Sequence, residues 1–170
     1  MQTFWKWLLH RQPGSPRGIG NIANSFLLVH VAIATVATLL IKSDPFTFAA
    51  KALFPASSIL IGMSLAWTTR ASTLLQSADL RDALFRNDRR AEDYVYGFQL
   101  AILVIMLMVT YVAIMAGGGL SIIVFGQETD SLLSGFWLYL LLSLAMRECW
   151  GVVNFTNLLS LLDYRRSEKR

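Results

Sequence analysis

Residues 94–115 read YVYGFQLAILVIMLMVTYVAIM, and this stretch decides the fold class because it contains no Asp, Glu, Lys or Arg. At about 1.5 Å per residue, a helix of this length crosses the hydrocarbon core of a bilayer. Strands of a membrane β-barrel alternate apolar and polar residues over about ten positions, whereas this run is apolar on all sides. Inside lipid, the backbone polar groups must be satisfied within the segment, so the stretch predicts a transmembrane helix.

Three further apolar runs bring the number of predicted membrane crossings to four. They cover residues 25–41, residues 53–70 with Pro55 in the first helical turn, and residues 132–162, the last broken by Arg147 and Glu148. The chain of 170 residues is 55% hydrophobic, and its mean hydropathy is +0.50. We therefore predict an all-α membrane protein in which residues 1–170 form a single domain of four transmembrane helices.

The positively charged residues indicate the orientation of these helices. If the N-terminus is cytoplasmic, twelve of the fifteen Lys and Arg residues face the cytoplasm, including those of the basic tail at residues 165–170. The loop after the third helix carries only acidic charges, Glu128 and Asp130. Because cytoplasmic loops are enriched in Lys and Arg, we predict a multi-pass inner-membrane protein with both termini in the cytoplasm.

Helices 2–4 are predicted to extend beyond the bilayer into the cytoplasm. Residues 70–93 lack Gly and Pro, which indicates a cytoplasmic helical hairpin with a turn at residues 86–88. A solvated charged loop is the alternative. Residues 132–146 alone supply about 22 Å of helix, so Arg147 is expected near the inner headgroups. The leucines at positions 158–162 would then project inward and pack on the hairpin.

Residues 1–20 form the predicted interfacial N-terminal segment and linker. Aromatic and aliphatic residues at positions 4–9 surround Lys6, a pattern typical of a short helix that lies in the membrane interface. Pro and Gly residues at positions 13–18 then indicate a flexible connection to the first span. Anchoring to the membrane surface is the simplest role for this segment.

Arg147 and Glu148 are the strongest candidates for a functional site, because charged residues in membrane segments are costly and face the protein interior or water. Gly151, Asn154 and Asn157 continue from Arg147 as a polar stripe on the same helix. A packing role is the alternative, with Arg147 reaching the interface and the asparagines bonding to neighbouring helices. His30 of the first span could relay protons or bond to a neighbour. The predicted pore or gating residues are therefore Arg147, Glu148, Asn154, Asn157 and His30.

Catalytic and metal-binding patterns are absent from the sequence. It contains no HExxH, GxSxG, Walker loop or Gly-rich dinucleotide turn, and no His, Cys or carboxylate cluster has metal-ligand spacing. Cys149 is the single cysteine, so an internal disulfide is excluded. We therefore predict that the protein is not an enzyme and uses no cofactor.

Two functions fit these features. The first is a homo-oligomeric channel, because four helices cannot enclose a pore alone, gated by an anionic nucleotide or nucleic acid that binds Arg81, Arg86, Arg89 and Arg90. The alternative is a non-catalytic scaffold or accessory subunit whose cytoplasmic helix extensions dock a protein partner. A small transporter ranks behind both, since the sequence shows no inverted repeat and no broken helix.

The architecture also resembles the small four-helix membrane effectors of bacterial anti-phage defence, in particular the channel subunit of the Hailong type. The resemblance rests on the chain length, the four-span layout, the arginine-rich hairpin from Arg81 to Arg90 and the basic tail from Arg165 to Arg170. It covers the whole chain at the level of architecture. It implies an oligomeric channel that a nucleotide-derived oligomer holds shut from an electropositive chamber. The acidic residues that balance the hairpin arginines depart from a simply electropositive surface.

Overall fold

The computed structural model describes residues 3–10, 18–76, 91–119, 123–124, 127–128 and 131–168. Its helical elements are α1 (Phe4–Leu9), a 3-10 turn (Gly18–Asn21), α2 (Phe26–Leu40), α3 (Pro45–Phe48), a π-helical segment (Ala49–Leu53), α4 (Phe54–Leu75), α5 (Ala91–Ala116) and α6 (Ser131–Ser167). Two short strands, β1 (Ile123–Val124) and β2 (Gln127–Glu128), pair antiparallel between α5 and α6. Apart from this pair, the regular secondary structure of the described residues is helical, which confirms the predicted fold class.

The second apolar run forms one continuous helix that begins earlier than predicted. Asp44 caps this helix, because its Oδ2 accepts hydrogen bonds from the backbone N–H and the hydroxyl of Thr47, both at 2.9 Å. Pro55 therefore lies in the helix interior and not in the first turn. A proline ring displaces the carbonyl group four residues earlier, and the π-helical segment directly before Pro55 accommodates that displacement.

Helix α6 is central to the bundle, since α2, α4 and α5 all pack against it. The main core cluster joins Met108 and Val112 of α5 to Leu138 of α6 and Ala34 of α2, all of them almost fully buried. Ala34 is the buried residue of α2, and the rest of that helix leaves large apolar side chains exposed, including Leu28 and Leu39 at 73% each. Helix α2 is therefore attached to the bundle along one narrow face.

Consecutive long helices run in opposite directions. Asn21, just before α2, contacts Arg147 in the middle of α6, whereas Lys42, just after α2, lies beside the start of α6 at Ser131. We call these two ends of the bundle the α1 end and the Asp44 end. Helix α5 returns to the Asp44 end, where Gly119 meets the ring of Phe46. The two ends of the described chain therefore lie on the same side of the bundle.

The second half of α6 continues to pack beyond Arg147. Leu159 is fully buried in a second cluster with Ala71 of α4 and Phe98 of α5, so this leucine has the kind of partner that the sequence predicted. Leu158 and Leu161 are instead 50% and 60% exposed. At about 1.5 Å per residue, α6 is about 55 Å long and exceeds a hydrocarbon core of about 30 Å.

Among the residues that the structure describes, three helices are long and apolar enough to cross a membrane: Pro45–Thr73, Tyr94–Ala116 and Ser131–Arg165. The chain is thus a membrane protein, as the composition predicted. The first apolar run forms the shorter helix Phe26–Leu40, about 22 Å in length. A fourth crossing by this helix, the orientation of the termini and the cytoplasmic extensions stay predictions. The predicted turn of the hairpin at residues 86–88 lies within residues 77–90, which are outside the described residues.

Candidate functional site

The candidate site is built on an ion pair between neighbouring residues of α6. Nε and Nη2 of Arg147 both donate to Oε1 of Glu148, at 3.0 and 2.5 Å. The two side chains are only 23% and 18% exposed. Successive positions on a helix do not face each other, so the arginine must fold back along α6 to reach the carboxylate. The pair brings no net charge into the membrane segment, which lowers the cost of placing it there.

Arg147 also connects α6 to the start of α2. Its Nη2 donates to the backbone carbonyl of Asn21 at 3.2 Å, at the end of the 3-10 turn. Its Nη1 is buried and has no hydrogen-bond partner among the described residues. The sequence prediction missed Asn21, because a backbone carbonyl carries no side-chain signal. The guanidinium is therefore both half of an ion pair and a link between two helices.

His30 belongs to the same cluster. It lies on α2, close enough to Arg147 and Glu148 that both charges act on its imidazole ring. Its Nδ1 is buried and has no hydrogen-bond partner within the part of the chain that the structure describes. The sequence offered no acid near His30, whereas the fold brings Glu148 close to it. Three of the five predicted pore or gating residues thus lie near the junction of α2 and α6, with Arg147 and Glu148 in contact and His30 within reach of their charges.

Asn154 and Asn157 do not join this cluster. Both are exposed on α6, as is Gly151, so this part of the predicted polar stripe faces away from the core of the chain. Thr156 lies on the opposite face, fully buried, and its hydroxyl donates to the carbonyl of Val152 at 2.8 Å. The stripe is consequently a surface feature of the single chain beyond the Arg147 level.

A groove between α5 and α6 adjoins the cluster at Glu148, on the side of α6 that faces α5. It has a volume of about 180 Å³, and Glu148 is the charged residue in its lining. Phe155 stacks on Tyr94 at 5.3 Å and meets Phe98 edge-on at 5.5 Å between ring centroids. The complete lining is Tyr94, Gly97, Phe98, Ala101, Glu148, Gly151, Val152 and Phe155. The sequence prediction missed this groove, although the i, i+3, i+4, i+7 spacing on both helices could have indicated it.

A second pocket, of about 340 Å³, lies at the Asp44 end and is separate from the candidate site. Lys42 and Asp44 are its charged residues, and Tyr139 contributes from α6. Hydrogen bonds from the backbone N–H and then the hydroxyl of Thr47 hold the pKa of Asp44 below its ordinary value. The Asp44 carboxylate is engaged in capping its own helix, so this charged group of the pocket has a structural role.

The predicted anionic-ligand residues Arg81, Arg86, Arg89 and Arg90 lie outside the described residues. Of the basic tail, Arg165 is described and exposed. Within the described ranges, no group of three or more His, Cys, Asp and Glu side chains could hold a metal ion.

No protein-family model matches the chain, and no curated protein or solved structure matches it either.

Proposed function

We propose that the protein is a homo-oligomeric channel of the inner membrane that crosses the bilayer four times with both termini in the cytoplasm. The observation that carries this proposal is the half-buried cluster of His30, Arg147 and Glu148 at the junction of α2 and α6. Ionisable groups in membrane segments face the protein interior or water and mark ion pathways. A pore-lining role would explain why these ionisable side chains occur within a largely apolar bundle.

The four-span topology draws support from helix direction and charge. Helices α2, α4, α5 and α6 alternate in direction, so the α1 end carries both chain termini and the Asp44 end carries both outer loops. Lys42 and Lys51 are the two basic residues at the Asp44 end in this arrangement, and Lys51 lies exposed on the helix, where its side chain can extend to the interface. Helix α2 is short, and a locally thinned bilayer accommodates a short span at modest cost.

Oligomerisation is proposed because the four helices of one chain cannot enclose a pore alone. The exposed faces of α2 and α4 are apolar and need either lipid or further copies of the chain. Several copies around an axis would surround a pathway to which each contributes its α2–α6 junction. The Arg147–Asn21 bond would hold α2 in one position, and its release would let this helix, whose outer face is exposed, move against α6. An anionic nucleotide or nucleic acid at Arg81, Arg86, Arg89 and Arg90 is the proposed gating ligand.

The test measures single-channel currents of purified protein in planar bilayers, together with the oligomeric state by native mass spectrometry. We expect a discrete oligomer and a current that changes in amplitude or open probability in Arg147→Gln. Arg165→Gln is the matched control, since it removes the same charge from an exposed position of the same helix. A monomer without current under all ligand conditions, or equal effects of both variants, would contradict the proposal.

A scaffold or accessory subunit is the second candidate, and a separate observation favours it. Leu158 and Leu161 are exposed on the second half of α6, and lipid would not cover them if this part of the helix extends beyond the bilayer as proposed. Stoichiometric co-purification of a partner from native membranes, lost in Leu158→Glu with Leu161→Glu, would support this role. A homo-oligomer that conducts without any partner would count against it.

A further inference from the structure

The groove between α5 and α6 combines one carboxylate with three aromatic rings. Glu148 lies beside Tyr94, Phe98 and Phe155, and Val152 and Ala101 complete an apolar floor. Aromatic faces attract ammonium groups within about 6 Å of the ring centroid, and a carboxylate accepts their hydrogen bonds. The lining is therefore suited to an organic cation with an adjoining apolar portion.

Space for such a group comes from two glycines on opposite sides of the groove. A Cβ atom built at Gly97 or at Gly151 would meet no atom within 4 Å. Two helices that meet through glycines normally pack closely, but here the room beside both residues stays open. A volume of about 180 Å³ is several times the roughly 30 Å³ that one water occupies in the liquid. It suffices for an alkylammonium headgroup.

The electrostatics of the site favour a zwitterion over a simple cation. Both hydrogen bonds from Arg147 to Glu148 go to Oε1, which leaves Oε2 without a bond from this arginine. This oxygen is available to a donor in the groove. The ion pair as a whole is neutral, so a ligand that carries both an ammonium and a phosphate matches it better than an anionic or a cationic one.

The groove also lies at the depth of lipid headgroups. The groove residues from Glu148 to Phe155 lie about 25 to 36 Å along α6 from Ser131, so the groove straddles one edge of a hydrocarbon core of about 30 Å that begins at Ser131. Trp150, in the next part of α6, is 67% exposed, and Trp7 of α1 packs beside Tyr96 of α5 at 5.6 Å between ring centroids. Tryptophan and tyrosine mark the membrane interface, so these rings place the α1 end of the groove in the headgroup region.

We propose that this groove binds one phospholipid with a zwitterionic, ammonium-bearing headgroup. The ammonium donates to Oε2 of Glu148 and lies against the rings of Phe98 and Phe155. Arg147 neutralises Glu148, so the phosphate at the mouth of the groove meets no net negative charge, and the acyl chains extend along the exposed apolar faces of the bundle. Lipid binding here requires no pore, so it goes beyond the channel proposal and does not depend on it.

The test is native mass spectrometry of the full chain in a maltoside detergent, titrated with phosphatidylethanolamine or phosphatidylglycerol of identical acyl chains. We expect one phosphatidylethanolamine per chain, bound about tenfold more tightly than phosphatidylglycerol. Glu148→Gln should bring phosphatidylethanolamine to the affinity of phosphatidylglycerol. Gly97→Leu and Gly151→Leu should each abolish the selective site, because the new side chain fills the groove without displacing an atom.

Gly62→Leu is the matched control. Its Cβ also meets nothing within 4 Å, and it lies on α4 away from the groove, so this variant should retain selective binding. Equal affinity for the two lipids in the wild-type protein would overturn the proposal. Retention of selective binding in both groove-filled variants would also overturn it. A change of oligomeric state in these variants without loss of lipid would show that a second copy of the chain, and not a lipid, occupies the groove.

Discussion

The Arg147–Glu148 pair allows a quantitative prediction through a double-mutant cycle. Arg147→Met removes both donors to Oε1 of Glu148 and the donor to the Asn21 carbonyl, at similar side-chain volume. It also leaves the Glu148 carboxylate, only 18% exposed, without a counter-ion. Glu148→Gln should destabilise the fold less than Arg147→Met, since the amide oxygen of the glutamine can still accept a hydrogen bond from Arg147. The combined variant has neither charge and therefore no unpaired one.

The expected magnitudes follow from this exposure. Breaking a buried ion pair costs about 3–5 kcal/mol, whereas a surface pair contributes about 0–1 kcal/mol. With side chains 23% and 18% exposed, Arg147→Met should cost about 3 kcal/mol of unfolding free energy, near the lower end of the buried range. Glu148→Gln should cost about 1 kcal/mol. The combined variant should cost about 2 kcal/mol, so the interaction energy is about 2 kcal/mol.

The assay is reversible denaturant titration of the four proteins in mixed micelles, followed by tryptophan fluorescence. The decisive result is that the combined variant is more stable than Arg147→Met alone. Strictly additive losses would show that the two side chains do not interact, and would refute the ion pair as the centre of the site. A loss below about 0.5 kcal/mol in Arg147→Met would place the pair in free solvent.

Three further predictions concern the elements that hold this site. Leu159→Ala should lower the unfolding free energy by about 3 kcal/mol in the same titration, because its side chain is fully buried. Leu158→Ala, at an exposed position, should leave the unfolding free energy nearly unchanged. Equal losses in the two variants would contradict the packing of α6 beyond Arg147. Gly119→Ala should cost about 2 kcal/mol, since φ is +85° and the new Cβ would collide with Phe46. Gly20→Ala is the control, because a Cβ atom there meets nothing within 4 Å. If Gly119→Ala left the unfolding free energy unchanged, the left-handed backbone at Gly119 and its contact with Phe46 would be contradicted. The pKa of Asp44 is lower in the folded protein than its ordinary value of about 3.9. The cap therefore contributes its full stability to the folded state above that ordinary pKa, and this stability is lost as the pH falls through the lower pKa of the folded state. Thermal midpoints of wild type should therefore fall in acid more than those of Asp44→Asn, and parallel curves would contradict the cap.

The helical elements were largely predictable, because the length of each apolar run in the sequence gives the approximate length of a helix. The start of the second span was not, since Pro55 suggested a first turn and the true start at Pro45 depends on the Asp44 cap and a π-helical segment. The candidate site was predictable in part. Arg147 and Glu148 were indicated by their charge within an apolar run. His30 was also predicted, but its position near these charges, the Asn21 carbonyl and the groove required the packing of α2 and α5 against α6, which no local pattern encodes.

The sequence by itself determined that this chain is an all-helical membrane protein, because uncharged runs of about twenty residues can satisfy their backbone groups in lipid only as helices. It also determined that the fourth run carries two opposite charges, Arg147 and Glu148, since both are visible within it. Only the tertiary structure decided that Arg147 bonds to the start of α2, that Glu148 lies near His30, and that the same carboxylate lines a groove between two glycines. These contacts join residues far apart along the chain, and helix periodicity says which face a residue lies on but not which helix that face meets.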